Sequence, residues 1–316
     1  MDRAGKSTRL GAAAAADSTA GDLAPSRFGS RSCMLLSTSM SALAGYFCVA
    51  AQERFGPWPV LLSRFAVPLA LLGAAMGPGL VRALQRPRPV HLLRAVFLLA
   101  SQALFLACAR RGGLFVAIVL FNTGPLFLVG IEAAHRRQAL SWSAMGWSGV
   151  GFAGAWLVQG QHATPAASGL LPGLASGVCY ALSQFTLFLA STEDRETTVL
   201  AQSFFWCSAM CLAPALVTMP RSLPAATGST ALALAWLFLG GLCSLGNQWF
   251  RTLAYRGSTR AAGLAPLLYF GVAVGMVLQS VHSGRLPAKP ELLGAACIVG
   301  AALGVRRQPA VTNPRG

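Results

Sequence analysis

The sequence predicts an all-α polytopic membrane protein with about ten transmembrane helices. Its residues are 54% hydrophobic and only 11% charged, whereas a soluble domain carries about a quarter charged residues. Apolar stretches close to the roughly 20 residues that cross a bilayer recur along the whole chain. Because too few charges remain to cover a water-facing surface, we expect the lipid bilayer to surround most of the protein.

Ten apolar segments fall into two groups of five. They lie at residues 34–51, 59–80, 92–109, 112–131 and 142–158, and then at 169–190, 198–219, 231–250, 261–281 and 291–305. A turn at Arg110-Arg111-Gly112 separates the third segment from the fourth and predicts a tight helical hairpin. The predicted domains are a disordered cytoplasmic tail at 1–32, five-helix repeats at 33–160 and 168–306, and a cytoplasmic tail at 307–316.

The basic residues predict which side of the membrane each loop occupies. With the N-terminus inside, the cytoplasmic side receives 18 Lys and Arg residues, Arg94 and Arg251 among them, and the opposite side receives 6. Cytoplasmic loops carry an excess of Lys and Arg, so this bias predicts that both termini are inside. Because the bases alternate with apolar runs, the net charge of +16 does not indicate a nucleic acid partner.

The third and fourth segments of the two groups share a pattern. Leu106-Ala-Cys-Ala-Arg-Arg-Gly-Gly leads to Gly124-Pro125-Leu-Phe, and Thr252-Leu-Ala-Tyr-Arg-Gly leads to Ala265-Pro266-Leu-Leu. Because five is odd, the second group enters the membrane from the opposite side, which predicts two inverted five-helix repeats. Secondary transporters often have this plan, with the substrate at the repeat interface. The alternative is that any two hairpins rich in Leu and Ala look alike.

The chain resembles the EamA-type transporters of the drug/metabolite transporter superfamily. Leu61-Leu-Ser-Arg64-Phe, the stretch from Leu92-Leu-Arg94 to Pro125-Leu-Phe, Ala254-Tyr-Arg, Pro266-Leu-Leu-Tyr269 and Gly294-Ala-Ala-Cys-Ile-Val-Gly300 carry this resemblance. The family usually has a Gly-Glu segment after its fourth and ninth helices. Gln138 and Arg285 take the places of those glutamates here, so no role of these acids transfers to this chain.

The resemblance and the repeat imply a secondary transporter that exports a small metabolite, amino acid or drug by alternating access. The alternatives are a non-transporting membrane scaffold or sensor, and an integral membrane enzyme. We expect no enzyme and no cofactor, because His-Glu-x-x-His, Gly-x-Ser-x-Gly and phosphate-binding Gly-rich motifs are absent from the sequence. Cys207-x3-Cys211 has no neighbouring His or carboxylate, so it predicts no metal site. The abundance of Arg, Ala, Gly and Leu fits a GC-rich genome, and the expected location is a bacterial inner membrane.

Two charged residues in apolar segments are candidates for function, because an intramembrane charge is costly. Arg64 either contacts an anionic group of the substrate or gates access to it, or it extends to the interface or pairs with Glu53. Glu132 either couples transport to protons, which requires burial and a raised pKa, or pairs with Arg136 one turn away. The spacing favours the ion pair.

Uncharged polar residues within the segments are the better candidates for the substrate site, since they can hydrogen-bond a solute or a neighbouring helix. They are Gln102, Asn122, Thr123, Tyr180, Gln184, Asn247, Gln248, Trp249 and Tyr269. Pro125 and Pro266 are predicted hinges, because each removes a backbone donor from its helix. The small-residue pairs Gly173-x3-Gly177, Gly271-x3-Gly275 and Gly300-x3-Gly304 favour close helix packing, the last within the bundle or in a homodimer.

Overall fold

The computed structural model describes residues 29–85, 87–112, 114–159, 167–218 and 228–304, which are mostly helical and contain no β-strand. The predicted all-α class is therefore confirmed for this part of the chain. The first helix begins at Ser30, so residues 30–32 are not part of a disordered tail as predicted. Residues 1–28 and the predicted tail at 307–316 lie outside the described residues.

The first half of the chain forms helices that match its five predicted segments. In chain order they are α1 (Ser30–Phe55), α2 (Pro57–Met76), α3 (Pro78–Leu84), α4 (Pro89–Gly112), α5 (Leu114–Phe121), α6 (Gly124–Arg136) and α7 (Trp142–Gln159). Pro57, Pro78 and Pro89 begin helices, because a missing N–H is harmless in the first turn. Arg110 and Arg111 were predicted to lie in the loop of a hairpin, but they lie in the last helical turn of α4. Cations at this end of a helix interact favourably with the helix dipole.

The second half follows the same succession of segments. Its elements are α8 (Ala167–Glu193), α9 (Glu196–Thr218), α10 (Gly228–Arg256), a 3₁₀ helix (Ala262–Tyr269), α11 (Phe270–Ser283) and α12 (Lys289–Gly304). Each predicted apolar segment thus corresponds to one helix or to two consecutive helical elements. The predicted second, fourth and ninth segments are the divided ones.

Eight helical segments in the described ranges are long and apolar enough to cross a membrane. The chain is therefore a multi-pass all-α membrane protein. The two other predicted segments are α7 and α12, which have 18 and 16 residues. They pack along each other, and a Cβ on Gly294 would come within 2.5 Å of the Gly154 carbonyl oxygen. Gly304 faces Trp147 while Gly300 faces open space, so α12 packs closely within the bundle; a homodimer stays a prediction.

The most extensive helix contacts join the two halves of the chain. α1 lies along α10 and α4 lies along α8, while α2 packs on α9 and α7 on α12. The largest buried cluster likewise draws on both halves, from Met34 and Leu128 to Phe188, Tyr255 and Leu264. The core of the protein is therefore the interface between the halves.

Both Pro-Leu segments are interrupted. The fourth segment breaks at Asn122 and Thr123, between α5 and α6, and Pro125 lies in the first turn of α6. Pro266 lies within the 3₁₀ helix, which passes into α11 at Phe270. The irregular backbone thus occurs where the prolines remove donors. Hinge motion at these points stays a prediction.

Candidate functional site

Two arginines lie buried in the interior of the bundle. Arg94 of α4 is 2% exposed and Arg251 of α10 is 4% exposed. The two lie in one region of the bundle, because Arg94 donates to Gln248, which is three residues before Arg251 on α10. The charge count treated them as bases of cytoplasmic loops, but both lie within helices and in the protein interior. Without them the predicted charge bias becomes 16 to 6, which still favours the same orientation. We call Arg94 and Arg251 the guanidinium pair.

Arg94 has only neutral acceptors. Its Nη1 donates to Ser203 Oγ of α9, and its Nη2 donates to Gln248 Oε1 of α10 at 2.6 Å. Its Nε is buried and has no hydrogen-bond partner in the described part of the chain. This guanidinium therefore joins three helices and retains unused donors.

Arg251 is held in the same way by neutral groups from two other helices. Its Nε donates to Ser37 Oγ of α1 at 3.0 Å, and its Nη1 donates to Tyr180 Oη of α8 at 3.4 Å. Ser37 Oγ in turn donates to Asn247 Oδ1 at 2.8 Å. The guanidinium pair is thus surrounded by side chains of α1, α4, α8, α9 and α10.

Neither member of the guanidinium pair forms an ion pair with any carboxylate that the structure describes. The structure describes the side chains of five acids, and all five pair with other arginines: Glu132 with Arg136, Glu193 and Asp194 both with Arg88, Glu196 with Arg256, and Glu291 with Arg285. A buried charge without its partner costs about 3–5 kcal/mol. The guanidinium pair therefore carries an uncommon energetic cost for a protein with so few charged residues.

The free donors on the guanidinium pair can be counted. An arginine has five N–H donors, and each of these two uses two of its five on neutral protein acceptors. Most of the N–H groups are therefore available, within the described residues, to an acceptor from outside the protein. Guanidinium groups match carboxylate and phosphate oxygens in pairs of parallel hydrogen bonds.

One end of the bundle is closed by ion pairs. Arg88 pairs with Glu193 and, at 3.1 Å, with Asp194, whose Oδ2 also lies 3.0 Å from Nε2 of the buried His91. Hydrogen bonds to the Glu193 and Asp194 carboxylates raise the pKa of the Arg88 guanidinium above its ordinary value. Arg256 pairs with Glu196, which lies two residues after Asp194 in the chain. We call this set of residues the ion-paired end.

Four predicted site residues contact the guanidinium pair or its surroundings. Gln248 accepts from Arg94, Tyr180 accepts from Arg251, and Asn247 reaches Arg251 through Ser37. Gln184 is buried and accepts from the Tyr255 hydroxyl at 3.3 Å. These residues come from α8 and α10, so the structure brings them together from two helices of the second half.

Three more predicted site residues lie beside this group without a hydrogen bond to it. Asn122 Nδ2 donates to the Ile118 carbonyl, and Thr123 Oγ1 donates to the Leu120 carbonyl. Both side chains thus provide hydrogen-bond donors to backbone carbonyl groups in the last turn of α5, at the break. The break adjoins Tyr180, whose ring centroid lies 4.5 Å from that of Phe121. Tyr269 is fully buried, and within the described residues its hydroxyl has no hydrogen-bond partner.

The remaining predicted site residues lie apart. Arg64 is half-buried, and its Nε donates to Ser244 Oγ at 3.3 Å; its predicted pairing with Glu53 falls on a side chain outside the described residues. Trp249 packs in an apolar cluster with residues of α2 and α9. Gln102 is half-buried. The structure gives none of these three a contact with the guanidinium pair.

Glu132 connects the fourth segment to the ninth. Its Oε1 lies 2.9 Å from Arg136 Nε, which confirms the predicted ion pair, and its Oε2 accepts from the Ala262 N–H at 2.5 Å. That N–H belongs to the first turn of the 3₁₀ helix, where donors lack helical partners. Glu132 therefore caps this helix, and it also lines a shallow pocket with Gln138 and Arg260. In the described residues we find no group of His, Cys, Asp and Glu that could hold a metal ion.

The sequence reasoning missed the residues at the centre of the site: Ser37, Arg94, Ser203, Arg251 and Tyr255. One signal was present, and it concerned Arg251. Asn247, Gln248 and Arg251 are spaced i, i+1 and i+4, which places Asn247 and Arg251 on one helix face. Arg94 lay close to the edge of its apolar segment, where the segment pattern does not separate a buried base from a loop base.

Comparison with known proteins shows the fold but no family. No family model matches the chain, and no curated protein matches it. Twenty-nine chains of solved structures match. One, described only as the crystal structure of a protein, has a TM-score of 0.72 at 18% identity, covering 86% of this chain and 96% of that one. This similarity shows a shared fold over most of the chain, and the activity has to be argued from the site.

Proposed function

We propose that this protein is a secondary transporter that moves a small solute across the membrane by alternating access. The observation that carries the proposal is the polar layer around the guanidinium pair, buried in an apolar bundle at the interface of the two halves. Ionisable residues inside a membrane are expensive and mark substrate pathways in transporters. A scaffold that binds no solute has no need of such a layer.

The helix packing supports two inverted repeats. If α1 corresponds to α8, and α4 to α10, then the contact of α1 with α10 corresponds to that of α8 with α4, and both are extensive. The interrupted fourth segment corresponds likewise to the interrupted ninth. Inverted repeats of this kind place substrate at their interface near the midplane. We therefore propose the ten-segment, two-repeat arrangement with both termini in the cytoplasm.

The ion-paired end acts as one gate in this proposal. Arg94 follows Arg88 by six residues and Arg251 precedes Arg256 by five, so the guanidinium pair lies about 8 Å below the ion pairs at a helical rise of 1.5 Å per residue. Breaking the ion pairs would open a path from the pair to the cytoplasm. Pro125 and Pro266 are the proposed hinges for the opposite movement, because their segments already lack regular helical bonds.

The resemblance in the sequence supports assignment to the EamA-type drug/metabolite transporters, with export as the direction. A bacterial inner membrane is the proposed location, and the small solute and the bilayer are the proposed partners. The departures at Gln138 and Arg285 persist in the structure, where Gln138 accepts from Arg260 and Arg285 pairs with Glu291. A coupling role for acids at these two places forms no part of the proposal.

The proposal is tested by comparing the solutes released by cells that lack the protein with those released by cells that overproduce it. A transporter changes the external amount of one or a few solutes. The flux of such a solute is then measured in proteoliposomes. Gln248→Leu removes an acceptor from Arg94, and losing a hydrogen bond to a charged group should lower flux about tenfold.

The matched control is Gln279→Leu, which makes the same change at an exposed glutamine of α11 that is not a candidate for the substrate site. It should leave flux near the wild-type value. Size-exclusion chromatography of both variants verifies that they remain folded. If release is identical in the two cell lines and no solute moves in proteoliposomes, the transporter proposal is wrong and the scaffold alternative gains support.

A further inference from the structure

We infer that the guanidinium pair is an anion-binding site, and that the solute moved by the proposed transporter carries a carboxylate or phosphate group that binds between Arg94 and Arg251. That the bound group belongs to a transported solute rests on the proposed function. That the bound group is an anion rests on the geometry of the site. Three observations lead to it: the charge of the pair, its unused donors and its neutral surroundings.

The two arginines concentrate positive charge inside the bundle. Arg94 and Arg251 bring two positive charges into the bundle at 2% and 4% exposure, and Arg94 reaches Gln248, three residues before Arg251. Like charges in one buried region repel each other. Guanidinium groups stay protonated in proteins, so loss of a proton does not relieve this repulsion. A bound anion does so directly, because it is attracted to both charges at once.

The donors point the same way. Arg94 Nε is fully buried and lacks a partner among the described residues, although its neighbours Nη1 and Nη2 are used. Arg251 donates through Nε and Nη1 to two hydroxyl groups. A hydroxyl group that gives up a guanidinium donor can donate its own O–H to an anion, so Arg251 can turn toward a ligand without abandoning a strong ion pair.

The neutral surroundings exclude the usual alternative. A structural arginine in a protein interior is paired with a carboxylate. The carboxylates that the structure describes are occupied by Arg88, Arg136, Arg256 and Arg285. A cationic solute would meet two positive charges in this layer and a neutral solute would leave them unneutralised, so the chemistry selects an anion.

The test measures the melting temperature of the purified full-length protein in detergent at constant ionic strength. The probes are succinate, inorganic phosphate, succinamide and sodium chloride. A ligand that binds only the folded protein raises its melting temperature, here by about 2–4 °C. Succinate or phosphate should do so, while succinamide, the neutral analogue, and chloride should not. The response to succinate against phosphate tells which oxyanion group fits.

Arg94→Gln and Arg251→Gln should each weaken the affinity for the effective anion about 30-fold or more, since truncating a buried charged contact has effects of this size. The affinity is obtained from the melting temperature as a function of anion concentration. Arg94→Lys keeps the charge and should retain part of the response. Arg82→Gln, which removes an exposed arginine of α3, is the control and should respond like the wild type. The comparison of anion with neutral analogue in the wild-type protein needs no variant, so an unfolded variant does not void the test.

Failure of the inference is separable from failure of the proposed function. Equal responses to succinate, phosphate, succinamide and chloride, or an undiminished response in both glutamine variants, would overturn the inference. So would a transported solute that proves neutral or cationic, which leaves the transporter proposal intact. An anion response that depends on both arginines, in a protein that moves no solute, supports the site and overturns the transporter.

Discussion

The ion-paired end and the guanidinium pair use the same side chain in opposite ways. Arg88 and Arg256 are nearly half exposed, and each has a carboxylate partner. Arg94 and Arg251 are almost fully buried, and their partners are Ser, Gln and Tyr. Apart from the buried Glu132, the acids that the structure describes pair with partly exposed arginines, and none of them pairs with the two buried arginines, where a charge is most costly.

This distribution is the reverse of the one that stability favours. A surface ion pair contributes about 0–1 kcal/mol, whereas leaving a buried charge unpaired costs several kcal/mol. A chain built for stability alone would place an acid beside Arg94 or replace it with an apolar residue. The difference between the two regions therefore indicates that the guanidinium pair is kept for a partner that comes and goes.

The largest effect is expected at Glu132, the buried acid that does have a partner. Glu132→Leu leaves the Ala262 N–H buried without an acceptor and removes the partner of Arg136, so we expect the free energy of unfolding to fall by about 2–4 kcal/mol. Glu132→Gln retains an acceptor for Ala262 and should lose about 1 kcal/mol. Chemical unfolding in mixed micelles measures both. Equal stability of the two variants would show that the cap on the 3₁₀ helix contributes nothing.

A smaller but more specific effect is expected when the guanidinium pair is given the acid it lacks. Ser203→Asp places a carboxylate where Arg94 now meets a hydroxyl. The new ion pair should raise the melting temperature of the ligand-free protein. It should also weaken the affinity for succinate or phosphate by about 30-fold, or about 2 kcal/mol. The thermal measurement described above reports both quantities.

Ser244→Asp is the matched control for that experiment. It places the same acid beside Arg64, which is half-buried and donates to Ser244. If Arg64 is no part of the anion site, the control keeps the full anion response. A response lost in Ser244→Asp and retained in Ser203→Asp would move the site from Arg94 to Arg64, the arginine that the sequence singled out first.

Local patterns in the sequence predicted much of the fold and less of the site. The apolar segments are visible because a lipid-crossing helix needs its own hydrophobic length, and eight helical segments in the described ranges have that length. The pair of Glu132 with Arg136 was predictable because it lies within one helix. Arg94 and Arg251 were misplaced because apolar length does not determine where a helix ends: α4 begins at Pro89 and α10 continues to Arg256. Their burial depends on neighbours that are more than a hundred residues away or lie on other helices.

The smallest effect is expected at the ion-paired end. Arg256 is 47% exposed and Glu196 is 21% exposed on their side chains, so a double-mutant cycle of Arg256→Gln and Glu196→Gln should give a coupling of about 0.2–1 kcal/mol. The coupling should decrease in 1 M salt, where charges are screened beyond about 3 Å. Chemical unfolding at low and high salt measures it. A coupling above about 2 kcal/mol that resists salt would show that this pair is shielded from water, and the contrast with the guanidinium pair would then rest on partner type alone. A weak coupling instead suits the proposed gate, because separating a weakly coupled ion pair costs little free energy.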